Sequence, residues 1–393
     1  MGLGGDVRRF WSSRSLFEPL AVFILVLAAY VAITPRTNPS YRHFVYMADA
    51  FLAGRVHLVG VPDYYHDVIV YQGRTYAPFP PVPALLLMPA VAVAGERTDQ
   101  GRIGQGLAAL AAAFFVAALR RWSIPRPVRL FCAAALAFGS VLWPASAIGT
   151  SWFFAQEVVV LATALLAWEL GGAARPAVLA AALAGAWLTR LTLLPALPVL
   201  ALWIWTRHRR IAAVALYLAV SAAGLVGYML YNVARFGDPL QSGYRLLSLA
   251  AVNAQTVAAG GFFNLRYVPE HLYGMFVRAP ELIPQVPYLR PSPWGMALLF
   301  TSPLALRLAF PAQRPPWLWW GAVILSIALP MLTFFSVGWV QFGYRYSLDW
   351  WIFLLVLLAF ALGERPRGID YALLTLSIGM NALGVYWVRA LGW

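Results

Sequence analysis

The sequence contains no lysine and a single cysteine, and charged residues make up only 11% of its 393 positions. Soluble domains carry roughly 25% charged residues, so this composition excludes an ordinary water-soluble globular protein. One cysteine excludes a disulfide framework, and Cys132 lies in an apolar run, where packing is its expected role. The chain also has no repeat of fixed period, no low-complexity tail and no linker. It therefore predicts a single transmembrane domain over residues 1–393.

Apolar residues are abundant instead, since they form 61% of the chain and give a mean hydropathy of +0.70. An apolar run of about 20 residues is long enough to cross a bilayer as a helix. Eleven apolar runs predict an all-α polytopic membrane protein with about eleven transmembrane helices. The runs are 16–34, 104–119, 130–148, 153–170, 176–189, 193–206, 211–231, 295–310, 317–336, 348–363 and 369–388. The first is interpreted as an uncleaved span, because no clear small-x-small cleavage site follows it.

The net charge of +14 comes entirely from arginine, and its distribution predicts the topology. Arginine is enriched in short cytoplasmic loops, whereas long loops translocate largely regardless of charge. With the N-terminus inside, the short inside segments hold 15 of the 29 arginines and the short outside connections hold three. The rest lie in or beside two long outer loops, 35–103 and 236–294. No nucleic-acid motif accompanies the charge, so we predict membrane lipids and no nucleic acid as partners.

The apolar segment 79–95 is the exception in this topology, because crossing here would turn the arginine-rich segments after it outward. It contains four prolines, which remove helix hydrogen bonds and favour breaks. Such a backbone is tolerated at membrane depth where protein or water satisfies it. The segment is therefore predicted to lie in or dip into the outer leaflet.

The first outer loop combines a predicted surface helix with a cluster of ionisable residues. An apolar stripe at helical spacing faces Arg42, Tyr46 and Asp49 on the other side, and Gly54 is the predicted end of the helix. The stripe consists of Tyr41, Phe44, Val45, Ala48, Phe51 and Leu52. Gln72-Gly73 is a turn candidate between two alternating runs.

Asp63, His66 and Asp67 lie just before that turn. They could ligate a metal, form a solvated turn, or supply an aspartate for acid/base chemistry.

The second outer loop places arginines among aromatic residues, namely Arg235, Arg245, Arg266, Arg278 and Arg290. Arginine suits bidentate phosphate recognition, so the loop is a candidate phosphate site, with a plain solvated loop as the alternative.

Several further charges lie near predicted span ends. Arg345 and Asp349 are spaced to pair at i, i+4 on one helix, and Glu157 and Arg190 could join the same cavity. Glu169 and Asp370 are predicted to be solvated charges at the inner helix ends.

Four stretches resemble the GT-C superfamily of membrane glycosyltransferases, of the protein mannosyltransferase and aminoarabinose transferase type. The first is a surface helix followed by Tyr71, Gly73, Arg74, Tyr76, Phe79 to Pro81 and Pro83 to Pro89. The others are AFGSVLWPASAIGTSWFFAQ (137–156), YNVARFGDPLQSGY (231–244) and QFGYRYSLD (341–349). The resemblance covers roughly residues 16–350.

The resemblance implies transfer of a hexose or pentose from a polyprenyl-phosphate carrier to a glycan, lipid or protein acceptor at the outer face, with inversion. A first-loop carboxylate would act as general base, and basic residues would hold the lipid phosphate. The predicted donor-binding residues are Arg266, Arg345, Arg235, Arg190, Tyr244 and Tyr346, supported by His66, Asn38, Glu157 and Asp349. The implied location is the bacterial inner membrane. No metal ligands are assigned, and a divalent cation, Mg²⁺ or Mn²⁺, is left open as cofactor.

The chain departs from this family at one position. Members commonly place an acidic residue directly after the first span, where this chain has Asn38, which cannot take a proton. The base must then be Asp67, Asp49 or Asp63, and Asp67 is favoured because it lies beside the turn that leads into the FPP segment.

Two alternatives remain open. One is a transporter or flippase of lipid-linked saccharide, although such proteins generally keep their charges near mid-membrane. The other is a catalytically inactive GT-C relative.

Overall fold

The computed structural model describes residues 13–34, 40–247 and 251–390, which form an almost entirely helical protein. The α-helices of the described residues are α1 (Ser13–Ile33), α2 (His43–Leu52), α3 (Val82–Ala94), α4 (Gln100–Arg121), α5 (Arg126–Ala137), α6 (Leu142–Ile148), α7 (Ser151–Leu170), α8 (Pro176–Trp187), α9 (Ala196–His208), α10 (Ile211–Phe236), α11 (Ala251–Gly260), α12 (Val268–Phe276), α13 (Leu298–Thr301), α14 (Trp317–Leu332), α15 (Trp351–Leu362) and α16 (Gly368–Ala390). Two small antiparallel hairpins pair β1 (Ile69–Tyr71) with β2 (Arg74–Tyr76) and β3 (Glu281–Leu282) with β4 (Leu289–Arg290).

Five of these helices, α1, α4, α7, α10 and α16, are long and apolar enough to cross a membrane. The bent pair α5 and α6 would make a sixth span, and α8, α14 and α15 are shorter apolar helices. The predicted class, an all-α polytopic membrane protein, is confirmed. The count of eleven stays a prediction, and the apolar run 295–310 is not one long helix. It forms α13 and a 3₁₀ turn (Pro303–Leu308), because Pro303 has no N–H to continue a helix.

The centre of the bundle is the alanine-rich helix α4, which packs against α1, α5 and α7. Ala108, Ala111 and Ala112 are fully buried, as is Phe115 one turn later. Small side chains let helix backbones approach closely. In a membrane the hydrophobic effect does not drive helices together, so they associate through such close van der Waals packing. The Ala-rich sequence of α4 is thus suited to a central position.

Charged residues at the predicted inner helix ends are buried in pairs, which corrects the prediction of solvated charges there. Glu169 is fully buried and accepts from the Arg175 guanidinium at 2.8 Å, and Asp370 is fully buried beside Arg307. A buried carboxylate is tolerated only with a partner, so these pairs replace the solvation lost to packing.

The two large loops meet at one end of the bundle. Gln72 and Gly73 form the predicted turn of the β1–β2 hairpin, with positive φ at both residues, as a two-residue hairpin turn requires. The Arg235 guanidinium at the end of α10 donates to the Ala77 carbonyl at 2.8 Å, and Tyr71 packs edge-on against Phe236. The end of α10 is therefore tied to the first loop.

The proline-rich segment forms helix α3, which begins after Pro81 and packs against α2. At 13 residues it is short for a span, and its position relative to the membrane stays a prediction. Helix α2 is buried on nearly every side, including Tyr46, which the sequence pattern placed on the polar face.

Candidate active site

Asp67 lies in the first loop just before β1, in the left-handed region of the backbone with φ of 55°. Aspartate is among the few residues that adopt this conformation without a large penalty. Its Oδ2 accepts a hydrogen bond from Trp152 Nε1, at the start of α7, at 2.7 Å. Burial raises the pKa of Asp67 above its ordinary value, while the Trp152 hydrogen bond and the positive charges of Arg345 and His66 oppose that rise.

Arg345 interacts electrostatically with Asp67 and lies in the stretch that precedes α15. Its Nε donates to Gln341 Oε1 at 2.9 Å, and its backbone carbonyl accepts from Gln156 Nε2 at 3.0 Å. Only 6% of Arg345 is exposed, and its Nη1 has no hydrogen-bond partner among the residues that the structure describes. Burying a guanidinium N–H without a hydrogen-bond partner costs free energy. An anionic ligand that accepts a hydrogen bond from Nη1 would remove this cost, so Arg345 is suited to bind one.

Asp349 pairs with Arg190 and not with Arg345, which corrects the predicted i, i+4 pair. Its Oδ1 lies 2.7 Å from Arg190 Nε, and its Oδ2 accepts from Thr192 Oγ1 at 2.8 Å. The prediction was wrong because residues 345–349 form a 3₁₀ helix, where i and i+4 do not share a face as they do in an α-helix.

Tyr346 and Tyr244 complete the cluster. The Arg190 guanidinium carbon lies 5.2 Å from the centre of the Tyr346 ring, and that of Arg345 lies 5.1 Å from the same ring. Tyr244, in the second loop, interacts electrostatically with Arg190, Asp67 and Tyr346, and burial raises its pKa. The structure thus brings two carboxylates, two guanidinium groups and two phenols together from four separate parts of the chain.

Other predicted site residues have partners elsewhere. Asp49 forms an ion pair with Arg55, and Asp63 is exposed. Arg266 donates to the Ala259 carbonyl within the second loop, and Arg235 is occupied by Ala77 and its own helix. Their roles in catalysis or donor binding stay predictions.

Glu157 is fully buried on α7, one and a half turns along the helix from Trp152. It faces Gly104 of α4, where a Cβ would lie 1.8 Å from Glu157 Oε2, so only glycine leaves room for this carboxyl group. His66 is exposed, with its ring stacked on Tyr41. Asn38 lies outside the described residues.

Sequence reasoning missed the residues that hold the site in place. His43, at the start of α2, is fully buried. Its Nδ1 lies 3.0 Å from Ser151 Oγ, and its Nε2 donates to the His66 carbonyl at 2.7 Å. Trp152, Gln156 and Gln341 likewise contact the predicted residues directly. All three occur in the stretches that carry the family resemblance, which was the available signal.

The buried His43 predicts a loss of stability in mild acid. Burial lowers its pKa to about 4, whereas an unfolded histidine titrates near 6.5. Below pH 6.5 the unfolded chain therefore binds more protons than the folded one, so stability falls as the pH is lowered towards 4. From the linkage relation we expect a loss of ~2 kcal/mol between pH 7 and 5.

Thermal unfolding of the purified protein across this pH range measures the loss. A His43→Gln variant, which cannot titrate, is expected to reduce the pH dependence. An identical pH dependence in both proteins would contradict this role of His43.

Ligands for a divalent cation are not clustered in the part of the chain that the structure describes. Among residues 13–34, 40–247 and 251–390, no group of three or more His, Cys, Asp or Glu side chains is arranged to hold a metal ion. The carboxylate of Asp67 accepts from Trp152 and interacts electrostatically with Arg345.

Comparison with known proteins identifies the fold. No protein-family model matches the sequence, and no curated protein matches it. The chain is similar in structure to the oligosaccharyltransferase of Archaeoglobus fulgidus in its apo form, with a TM-score of 0.50 at 13% identity over 98% of this chain. Structures of that enzyme tethered to an acceptor peptide, and with an inhibitory peptide and a dolichol-phosphate, match equally well, at a TM-score of 0.50 and 13% identity over 98% and 97% of this chain.

The chain spans 57% to 58% of the length of those structures. At this level of identity the likeness establishes the fold alone, and that fold is the GT-C fold predicted from the sequence.

Proposed function

We propose that this chain, which has the fold of the GT-C glycosyltransferases, transfers a sugar from a polyprenyl-phosphate donor to an acceptor at the outer face of a bacterial inner membrane. The observation that carries the proposal is the electrostatic interaction of Asp67 with Arg345, whose Nη1 has no hydrogen-bond partner among the described residues. One is a base and the other an anion-binding group, and transfer from a lipid phosphate needs both.

In the proposed reaction Asp67 removes the proton from an acceptor hydroxyl. The acceptor oxygen forms a bond to the anomeric carbon of the donor sugar while the bond from that carbon to the phosphate oxygen breaks. Polyprenyl phosphate leaves with the electron pair of that bond, and the configuration at the anomeric carbon is inverted. The raised pKa of Asp67 supports this role, because it makes the carboxylate a stronger base than an exposed aspartate.

Arg345 and Arg190 would bind the phosphate in this scheme. Arg345 has a free N–H, and the pairing of Arg190 with Asp349 fixes the second guanidinium in place. Fixed donors stabilise charge that develops on the leaving group without the cost of reorganising water. In this proposal the transferred sugar is a hexose or a pentose.

A flippase of lipid-linked saccharide is the second candidate, because it would also bind a lipid phosphate. The position of the ionisable cluster favours a transferase, since the cluster joins the two large loops and does not lie midway along the spans. An inactive relative would retain the fold without turnover.

The proposal is tested with the purified protein in liposomes that contain a polyprenyl-phosphate monosaccharide. A transferase releases polyprenyl phosphate only when an acceptor fraction from the host membrane is added, and mass spectrometry detects that release. Transbilayer movement of intact donor without release would instead identify a flippase. If neither release of polyprenyl phosphate nor movement of the donor is detected, the chain is an inactive relative.

A further inference from the structure

We propose that the acceptor is a saccharide, which stacks on a file of aromatic rings leading from Asp67 to the protein surface. This inference rests on the proposed transferase function and specifies its acceptor. The rings belong to Trp152, Tyr41, His66 and Tyr64, called the ring platform below.

The ring platform is continuous from the carboxylate outwards. Trp152 donates its indole N–H to Asp67 at 2.7 Å, and its ring centre lies 5.0 Å from that of Tyr41. The Tyr41 ring lies 5.4 Å from the His66 ring at an interplanar angle of 26°, and 6.0 Å from the Tyr64 ring at an angle of 74°. Trp152 and Tyr41 are half-buried, while Tyr64 is 58% exposed. Ring surface therefore reaches solvent at one end and the proposed base at the other.

The ring platform is held rigid from below. His43 lies beneath it, with its ring 6.0 Å from that of Tyr41 and 5.7 Å from that of Trp152. Its hydrogen bonds to Ser151 and to the His66 carbonyl connect α2, α7 and the loop that carries Asp67. Such support is what a binding surface needs, because ordering it on binding would cost affinity.

A sugar matches this surface in shape and chemistry. A pyranose presents C–H bonds on its faces and hydroxyl groups around its edge, and an aromatic ring has an electron-rich face that attracts C–H groups. The ring platform offers such faces, with the Tyr64 hydroxyl, the His66 imidazole and the Asp67 carboxylate at its edges. A sugar stacked there would hold a hydroxyl group beside Asp67.

The ring platform is less suited to binding an anionic membrane surface than to binding a saccharide. Exposed aromatic residues do occur at membrane interfaces, but there they accompany positive charge that meets lipid head groups. The ring platform ends at a carboxylate, and Asp63 is exposed one residue before Tyr64. The negative charges of Asp67 and Asp63 therefore favour a neutral, hydroxyl-rich ligand over an anionic phospholipid.

The inference is tested by binding in nanodiscs, with saturation-transfer NMR on a panel of methyl glycosides and on a serine- and threonine-containing octapeptide. We expect saturation of ring C–H protons in at least one glycoside. Tyr64→Ala should weaken that binding about 5- to 10-fold, the scale of one stacking interaction, whereas Tyr64→Phe keeps the ring and the binding. Tyr288→Ala is the matched control, because Tyr288 is equally exposed but lies in the second loop.

Binding of polyprenyl phosphate to the same variants, followed by native mass spectrometry, separates this inference from the proposed function. Loss of glycoside binding in Tyr64→Ala with unchanged lipid binding supports the inference. Lipid binding without glycoside binding, glycoside binding that ignores Tyr64, or binding of the peptide alone would overturn it while leaving the transferase proposal in place. If polyprenyl phosphate does not bind the wild-type protein, the proposed function itself fails.

Discussion

Replacing Asp67 with asparagine is expected to lower the rate of sugar transfer by about 10²- to 10⁴-fold, the contribution of a positioned general base. Asparagine has nearly the same shape and also tolerates the positive φ of this position, so the variant removes the base and leaves the backbone unstrained. Its amide oxygen can still accept from Trp152. The measurement is product formed per mole of protein in membranes, with thermal unfolding as the check on folding.

Asp63→Asn provides the matched control, because it makes the same change of charge four residues earlier in the same loop. Asp63 is exposed, and this variant is expected to transfer sugar at nearly the wild-type rate. Should Asp67→Asn retain its turnover while Asp63→Asn or Asp49→Asn loses it, the base would be one of the other two predicted aspartates.

The pH dependence of the transfer rate is a second test of Asp67 as the general base. A general base acts in its unprotonated form, so the transfer rate falls as the pH is lowered through its pKa. Because burial raises that pKa, the acid limb is expected above the pH at which an ordinary aspartate titrates, about 3.9.

Replacing Arg345 with methionine is expected to weaken binding of polyprenyl phosphate by about 10- to 100-fold, because a hydrogen bond to a charged group contributes about 1.5–3 kcal/mol. The free Nη1 of Arg345 is the group that the phosphate would engage. Methionine retains the aliphatic part of the side chain but lacks the guanidinium carbon, which lies 5.1 Å from the ring centres of Phe153 and Tyr346. Titration of the lipid into the purified protein in nanodiscs measures the change.

Arg290→Met controls for the loss of positive charge. Arg290 lies in the second loop, is half exposed and pairs with Glu281 in the β3–β4 hairpin. We expect its replacement to leave the affinity for polyprenyl phosphate nearly unchanged. An equal loss in both variants would indicate that the general positive charge of the chain, and not the guanidinium of Arg345, attracts the lipid.

The fold class followed from the sequence because apolar runs and turn residues are local signals. The turn candidate Gln72-Gly73 was placed correctly, since the turn and the two strands that it joins lie within eight residues. A local signal also led to Asp67, which was favoured as the base because its neighbours along the chain indicate a turn within a loop.

The partners of the site residues were not predictable in this way. Asp349 binds Arg190, which lies 159 residues earlier, and no spacing rule connects positions so far apart. Asp67 likewise depends on Trp152, 85 residues away. Glu169 and Asp370 were predicted to be solvated because a helix end usually meets water, whereas packing of the short connections buried both. Contacts that form only in the folded protein determined the partner or the burial of each of these residues.

The order in which the ribosome delivers the chain gives the pairing of Arg190 with Asp349 a consequence for biogenesis. Asp67 and Trp152 are translated early, yet the guanidinium of Arg190 has no ion-pair partner until Asp349 has been translated, together with the neighbouring Arg345. A nascent chain that has not yet reached residue 345 would thus hold the proposed base without the finished phosphate cradle. The two arginines of that cradle are in place only after Asp349 has been translated.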